Sequence, residues 1–111
     1  MRLPEINTRL GLYNIPNGLS YENASFAEPL ACALRGQRRA NLRKGDVVVV
    51  IGSGISGVLH IALAKGTDAE MIIVSDINEK KLVWAEKFGA DIVTQDSSKI
   101  AEILEAKIGR K

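Results

Sequence analysis

The run Val47-Val48-Val49-Val50-Ile51, followed at once by Gly52-Ser53-Gly54-Ile55-Ser56-Gly57, constrains this chain more than any other stretch. Consecutive β-branched residues predict a strand buried on both faces, which is the pattern of a parallel sheet. A parallel strand reaches its neighbour through a crossover, and Val58-Leu59-His60-Ile61-Ala62-Leu63-Ala64-Lys65 supplies a helix for one. That helix is apolar nearly all round, so deep packing is expected, with an end near Lys65-Gly66. In the G-x-G-x-x-G between strand and helix, the first glycine permits a sharp turn and the second lets a diphosphate approach the backbone. The third lets helix and strand pack closely. Free N–H groups at the helix start, with the positive end of its dipole, make an anion site there.

A glycine triplet alone is weak, and its surroundings decide. A second apolar run, Met71-Ile72-Ile73-Val74, ends in Ser75-Asp76, which places a carboxylate nineteen residues after Gly57. A carboxylate at the end of the second strand accepts hydrogen bonds from an adenosine ribose and repels the extra phosphate of NADP. NAD is therefore the expected ligand. The competing structural reading is an empty βα turn, with Asp76 only capping the next helix.

At 111 residues the chain is one domain or part of one. Fifteen basic against thirteen acidic residues leave a formal charge of +2, too balanced to imply a polyanion, which argues against nucleic acid. One cysteine excludes an internal disulfide, and one cysteine with one histidine cannot form the usual four-ligand Cys/His zinc site. No apolar run approaches eighteen residues, and the N-terminus with Pro4, Glu5, Asn7 and Thr8 lacks the apolar centre of a signal peptide, so neither a membrane span nor export is expected and a reducing cytoplasm fits.

Residues 1–19, with Pro4, Gly11, Pro16 and Gly18, hold no sustained period and read as a lead-in segment. Ser20 offers a helix cap with Asn23 three residues on, half of a capping box, and one helix or two then run to about Ala40. Pro29 predicts a break near Ala27-Glu28-Pro29. Leu30 and Leu34 supply an apolar stripe with Ala31, Cys32 and Ala33, and Cys32 reads as a small packed hydrophobe. Arg35, Arg38, Arg39, Arg43 and Lys44 read as a solvated helix end that suits the dipole. His60 reads as a half-exposed helix histidine rather than a metal ligand.

Beyond the second strand, Asn78 caps a helix with Leu82, Ala85 and Phe88 on one face, Trp84 on its flank and Gly89 as its stop. Ile92-Val93 is a short third strand, and Asp96-Ser97-Ser98 leads into a last helix with Ile100, Ile103, Leu104 and Ile108. The expected fold is α/β, half of a Rossmann-type doubly wound parallel sheet (β-α-β-α-β-α, strand order 3-2-1) preceded by a helical lead-in. Residues 20–111 form the partial NAD-binding Rossmann domain. With no fourth strand, Val47 to Ile51 is left as a bare apolar edge, which invites self-association or a complementing chain.

Several phrases together resemble the medium-chain, zinc-dependent alcohol and polyol dehydrogenases, nearest their sorbitol and threonine dehydrogenases. They are Ile15-Pro16-Asn17-Gly18-Leu19-Ser20-Tyr21-Glu22, Ala27-Glu28-Pro29-Leu30-Ala31-Cys32-Ala33-Leu34, the glycine loop, Ser75-Asp76-Ile77-Asn78 and Phe88-Gly89-Ala90-Asp91, spanning about residues 15 to 95. The resemblance implies that Gly52, Ser53, Gly54, Ile55, Ser56 and Gly57 hold the NAD diphosphate, and that Asp76 binds the adenosine ribose with Lys81 beside it. Lys80 and Lys81 leave NADP as the lesser alternative, and Ile77-Asn78 in place of an arginine argues against it. It further implies Glu28 as a neighbour or alternate ligand of a catalytic zinc in a complete enzyme, the competing reading being an ordinary first-turn carboxylate.

The family's zinc cysteine, its His-Glu pair and the second half of the nucleotide domain have no counterpart here, so no zinc is expected to bind this chain. The reading is the NAD-binding part of a truncated or split dehydrogenase, inactive alone. The alternatives are a non-catalytic adenine-nucleotide-binding module and an inactive remnant.

Overall fold

The computed structural model describes residues 2–109. Helix α1 (Glu5–Gly11) lies in the lead-in, α2 (Tyr21–Ala24) and α3 (Ala27–Arg39) follow, and β1 (Val47–Ile51), α4 (Ile55–Gly66), β2 (Met71–Ser75), α5 (Glu79–Phe88), β3 (Ile92–Thr94) and α6 (Ile100–Ile108) complete the order. All three strands are parallel in the order β1-β2-β3, with Val47 level with Met71, Ile51 with Ser75, and Ser75 with Thr94. This is the expected α/β half of a Rossmann-type domain. Met1 and residues 110–111 of the expected lead-in and last helix lie outside the described residues.

Local chemistry sets the element ends. The Ser20 hydroxyl accepts the Asn23 N–H at 3.2 Å, which gives α2 its cap and confirms the half box. The chain breaks at Ser25–Phe26, leaving Pro29 in the first turn of α3 where its missing N–H costs nothing. Asn78 Oδ1 accepts the Lys80 N–H at 3.0 Å to start α5, and Gly89 ends that helix at φ +118°. Asp96 caps a 3₁₀ turn, Ser97–Lys99, that feeds α6.

One core lies between the sheet and the helices α4 and α5: Ile61, Ala64, Ile72, Val74, Leu82 and Ala85 are buried, with Val48, Val50 and Val93 packed against them. Ile73, also fully buried, points to the opposite face by strand alternation, where α6 sets Leu104 and Ile108 near Val47 and Val49. Asp91 ties β3 to β2, since Oδ2 accepts the Ile72 N–H at 2.8 Å and the Asp91 N–H reaches the Ile72 carbonyl at 2.9 Å.

Several expectations are overturned. Strand β1 is not buried on both faces: it is an edge strand, and Ile51 stands 75% exposed because no neighbour covers it. Helix α4 is less deeply packed than its composition suggests. Only Gly57, Ile61 and Ala64 are buried, because the sheet touches one face and α3 and α5 flank it incompletely, leaving Ile55 69% exposed. Cys32 is exposed rather than packed, and its thiol donates to Glu28 Oε1 at 3.1 Å one turn back. The buried stripe of α3 falls on Ala33 and Gln37, with Leu30 exposed, since α3 meets α4 through its small residues. The lead-in, read as lacking any period, forms the short helix α1, which buries nothing. Among the described residues no helix is long and apolar enough to cross a membrane.

Candidate dinucleotide site

The glycine loop bridges β1 and α4, and its three glycines differ in what they require. Gly52 turns the chain at φ +92°, a conformation that side-chain-bearing residues avoid, while its N–H extends the ladder to the Ser75 carbonyl at 2.7 Å. At Gly57 a Cβ would collide with the Gly52 carbonyl oxygen and would stand 3.5 Å from a Val50 methyl, so helix and strand can be this close only without a side chain. Gly54 is the opposite case: its φ of −70° is ordinary, and a Cβ there would meet nothing within 4 Å. The backbone at Gly54 is thus open to approach. As the N-cap of α4 it offers no side-chain acceptor, so the first N–H groups of that twelve-residue helix have no capping side chain.

Asp76 follows β2 directly and is fastened to the loop. Its Oδ2 accepts both the Ser53 N–H at 2.7 Å and the Ser53 hydroxyl at 3.1 Å, and its Oδ1 accepts the Asn78 N–H at 2.9 Å. Ser53 is only 2% exposed, so its side of this contact is buried. The Ser53 N–H, then the Asn78 N–H and the Ser53 hydroxyl, hold the Asp76 carboxyl below the usual carboxylate range, and the Lys81 charge adds to the effect. Asp76 is therefore an oriented anion at neutral pH, half-buried at the lip of the loop.

Lys81, exposed in the first turns of α5, lines a cleft of about 610 Å³ with Ser53, Gly54 and Ile55. Phe26, Val58, Leu59, Trp84 and Phe88 make its apolar wall. The wall was not legible in sequence: Phe26 falls at a helix break, and Trp84 read only as flank cover. Trp84 and Phe88 lie 6.5 Å apart, and Lys87 Nζ stands 4.5 Å from the Trp84 ring centre. Ile55 and Ser56 are exposed in the first turn of α4.

The remaining candidates lie elsewhere. Glu28 is exposed in the first turn of α3 and holds only the Cys32 thiol. His60 is half-buried between α3 and α4, where its carbonyl accepts the Gln37 amide at 2.7 Å and its Nδ1 lies 3.4 Å from the same nitrogen. Among the described residues no group of three or more His, Cys, Asp or Glu gathers to hold a metal ion. The basic residues of α3 and its end are solvent-exposed, and Lys44 pairs with Asp68 at 3.3 Å.

Parallel sheet, crossover helices and glycine turn together define half of a Rossmann-type domain. No protein-family model matches the chain. It is 43% identical over 76 residues to an L-arabinitol 4-dehydrogenase of Aureobasidium melanogenum, covering 68% of this chain and 21% of that one. It is 31% identical over 103 residues to the sorbitol dehydrogenase of Bos taurus, covering 89% of this chain and 29% of that one. Among solved structures, the alcohol dehydrogenase TADH from Thermus sp. ATN1 superposes with a TM-score of 0.78 at 31% identity, over 87% of this chain and 28% of that one.

A protein assigned as a zinc-binding dehydrogenase from Sinorhizobium meliloti 1021, bound to NADP, gives a TM-score of 0.75 at 32% identity, over 87% and 28% of the two chains. A protein described as a short chain alcohol dehydrogenase from E. coli CFT073, complexed with NADH, gives 0.77 at 26%, over 89% and 30%. Its homologues are arabinitol and sorbitol dehydrogenases and its structural neighbours are zinc-dependent alcohol dehydrogenases, an NAD(P)-dependent family of which this chain matches one part. It spans less than a third of the length of these relatives.

Proposed function

We propose that this chain is the adenosine- and diphosphate-binding part of a dehydrogenase, with residues 20–111 as the partial NAD-binding domain and residues 1–19 as its lead-in. The observation that carries the reading is the Ser53–Asp76 contact, which brings the ribose-selecting acid within hydrogen-bond reach of the loop meant for the diphosphate. Gly52 turns the chain, Gly57 admits the helix, and Gly54 leaves the backbone open. Ser53, Ile55 and Ser56 complete the loop, whose N–H groups meet the diphosphate. Asp76 accepts the ribose hydroxyls, and Lys81 lies beside them.

NAD is favoured over NADP because the ionised Asp76 repels a 2′-phosphate, and Ile77 and Asn78 place no arginine there to offset it. The relatives themselves include one protein bound to NADP and one complexed with NADH. In a complete enzyme of this family NAD accepts hydride from an alcohol, giving a carbonyl and NADH. Glu28 would then neighbour the zinc. In this chain Glu28 is exposed and accepts the Cys32 thiol. We read the chain by itself as inactive.

A second reading is a nucleotide-binding module without turnover. It is favoured by the fact that loop, Asp76 and Lys81 all serve the adenosine side. Calorimetric titration with NAD, NADP and AMP tests the first claim: NAD tighter than NADP is expected, and no binding of any of the three would end it. NADH formation from sorbitol or simple alcohols with added zinc, by the chain alone, would overturn the claim of inactivity.

The single free cysteine is the usage of a reducing compartment, and we place the chain in the cytoplasm. Its open β1 edge is the surface through which we expect self-association or a complementing dehydrogenase chain.

A further inference from the structure

Most of the hydrogen-bonding capacity of Asp76 is taken by its own chain. An ionised carboxylate has about four lone-pair sites, two on each oxygen. Oδ2 accepts the Ser53 N–H at 2.7 Å and the Ser53 hydroxyl at 3.1 Å, which fills it, while Oδ1 accepts the Asn78 N–H at 2.9 Å. One site is left, and it lies on Oδ1.

The backbone on either side holds this arrangement in place. The Gly52 N–H reaches the Ser75 carbonyl at 2.7 Å, and the Asp76 N–H reaches the Thr94 carbonyl at 3.2 Å, so loop and acid are both bonded across the sheet. Ser53 is buried, and its hydroxyl turns to the carboxylate. Of its two donors, the N–H belongs to the backbone and any residue but proline would supply it. The hydroxyl is what the serine side chain adds. Asp96 shows the contrast: its Oδ1 also takes an N–H and a hydroxyl from one serine, Ser98, but that serine is two residues away and the contact is a helix cap. Ser53 lies 23 residues upstream of Asp76 and reaches it from another element.

An adenosine ribose offers two neighbouring hydroxyls, 2′ and 3′, and a carboxylate with both oxygens open takes one on each. With Oδ2 filled, only one of them finds a site. We propose that the Ser53 hydroxyl is a positioning group that sets how the ribose is read: it fills Oδ2, so that Asp76 receives the ribose through Oδ1 alone and bonds one of its two hydroxyls. The assignment rests on the function proposed above, in which Asp76 is the ribose acceptor, and adds to it the residue that orients the acid.

Titration of the full chain with AMP, 2′-deoxy-AMP and 3′-deoxy-AMP, by calorimetry or NMR, tests this. In the wild type, loss of one ribose hydroxyl should weaken binding roughly tenfold or more, as loss of a hydrogen bond to a charged acceptor does, and loss of the other by less than about threefold. This comparison needs no variant. Ser53→Ala opens Oδ2, and loss of either hydroxyl should then weaken binding by about fivefold or more. A second readout needs no nucleotide. In the ligand-free chain the Asp76 carboxyl, followed by NMR against pH, should titrate higher in Ser53→Ala than in the wild type; the Ser53 N–H, the largest influence on it, and the Lys81 charge are common to both proteins. Comparable losses for the two deoxynucleotides in the wild type overturn the proposal and leave Asp76 as the ribose acid. So does an unchanged pattern in folded Ser53→Ala, or an Asp76 titration that the substitution does not move. AMP binding that Asp76→Ala fails to weaken, or no AMP binding at all, overturns it together with the function on which it rests.

Discussion

Strands β1 and β2 are near twins in composition and opposites in circumstance. Val47–Ile51 is the more hydrophobic of the two by its sequence, yet Met71–Ser75 is the one whose interior residues are sealed, with Ile72, Ile73 and Val74 fully buried. The difference comes from neighbours. Strand β2 has a hydrogen-bonded strand on each side and side chains pressed by α4 and α5 on one face, whereas β1 has a strand on one side only. Apolar content sets what a strand is able to bury, and position in the sheet sets what it does bury.

The largest expected effect separates the two strands by stability. Ile73→Ala, in the centre of β2, is expected to cost about 2–5 kcal/mol, while Ile51→Ala should stay within about 0.5 kcal/mol. Urea unfolding at concentrations where the chain is monomeric measures both, and equal losses would erase the contrast.

The ends of the two strands meet at the site, and substitutions there sharpen the comparison. Asp76→Ala, at the end of β2, removes a charge-assisted acceptor worth about 1.5–3 kcal/mol and should weaken NAD binding by roughly one to two decades in calorimetry. Gly57→Ala, which drives a methyl into the Gly52 carbonyl beyond β1, should lower folding stability by about 1–3 kcal/mol. Gly54→Ala, with open space around its Cβ, should leave stability nearly unchanged and act on nucleotide affinity instead. A Gly57→Ala protein as stable as the parent would mean that the loop and helix separate easily.

The smallest effect is one of pH. Asp76 and Asp96 both have depressed folded-state pKa values, caused first by the Ser53 N–H for the former and by the Ser98 hydroxyl for the latter. A depressed carboxyl contributes stability that is present above its unfolded pKa and lost as pH falls through the folded value, so stability should decline as acid is added below about pH 4. Asp76→Asn should flatten that decline in thermal melts. An unchanged acid limb would mean that the loop contact adds nothing to folding.

Much of this could be read residue by residue. Asn78, Gly89 and Asp96 punctuate the chain through bonds to atoms within a few residues, so local sequence was enough to place them. The glycine loop and Asp76 were legible for a related reason: each sits at a strand end, and strand ends are visible as breaks in apolar runs. Cys32 and Leu30 were misread because a helix stripe in sequence does not say which of its residues meets the neighbour, and α3 chose Ala33 and Gln37. The cleft wall of Phe26, Leu59, Trp84 and Phe88 gathers three helices and had no local signal.

The sequence by itself determined the alternation of strand and helix, the turn chemistry at Gly52 and Gly57, and the presence of an acid nineteen residues beyond, because each depends on backbone preferences and short-range spacing. Only the tertiary structure decided that Asp76 closes onto Ser53, that β2 is the central strand, and that β1 is left with an unpaired edge. Those outcomes turn on which distant segments lie side by side, and hydrogen bonding and burial between such segments are set by their packing rather than by their own composition.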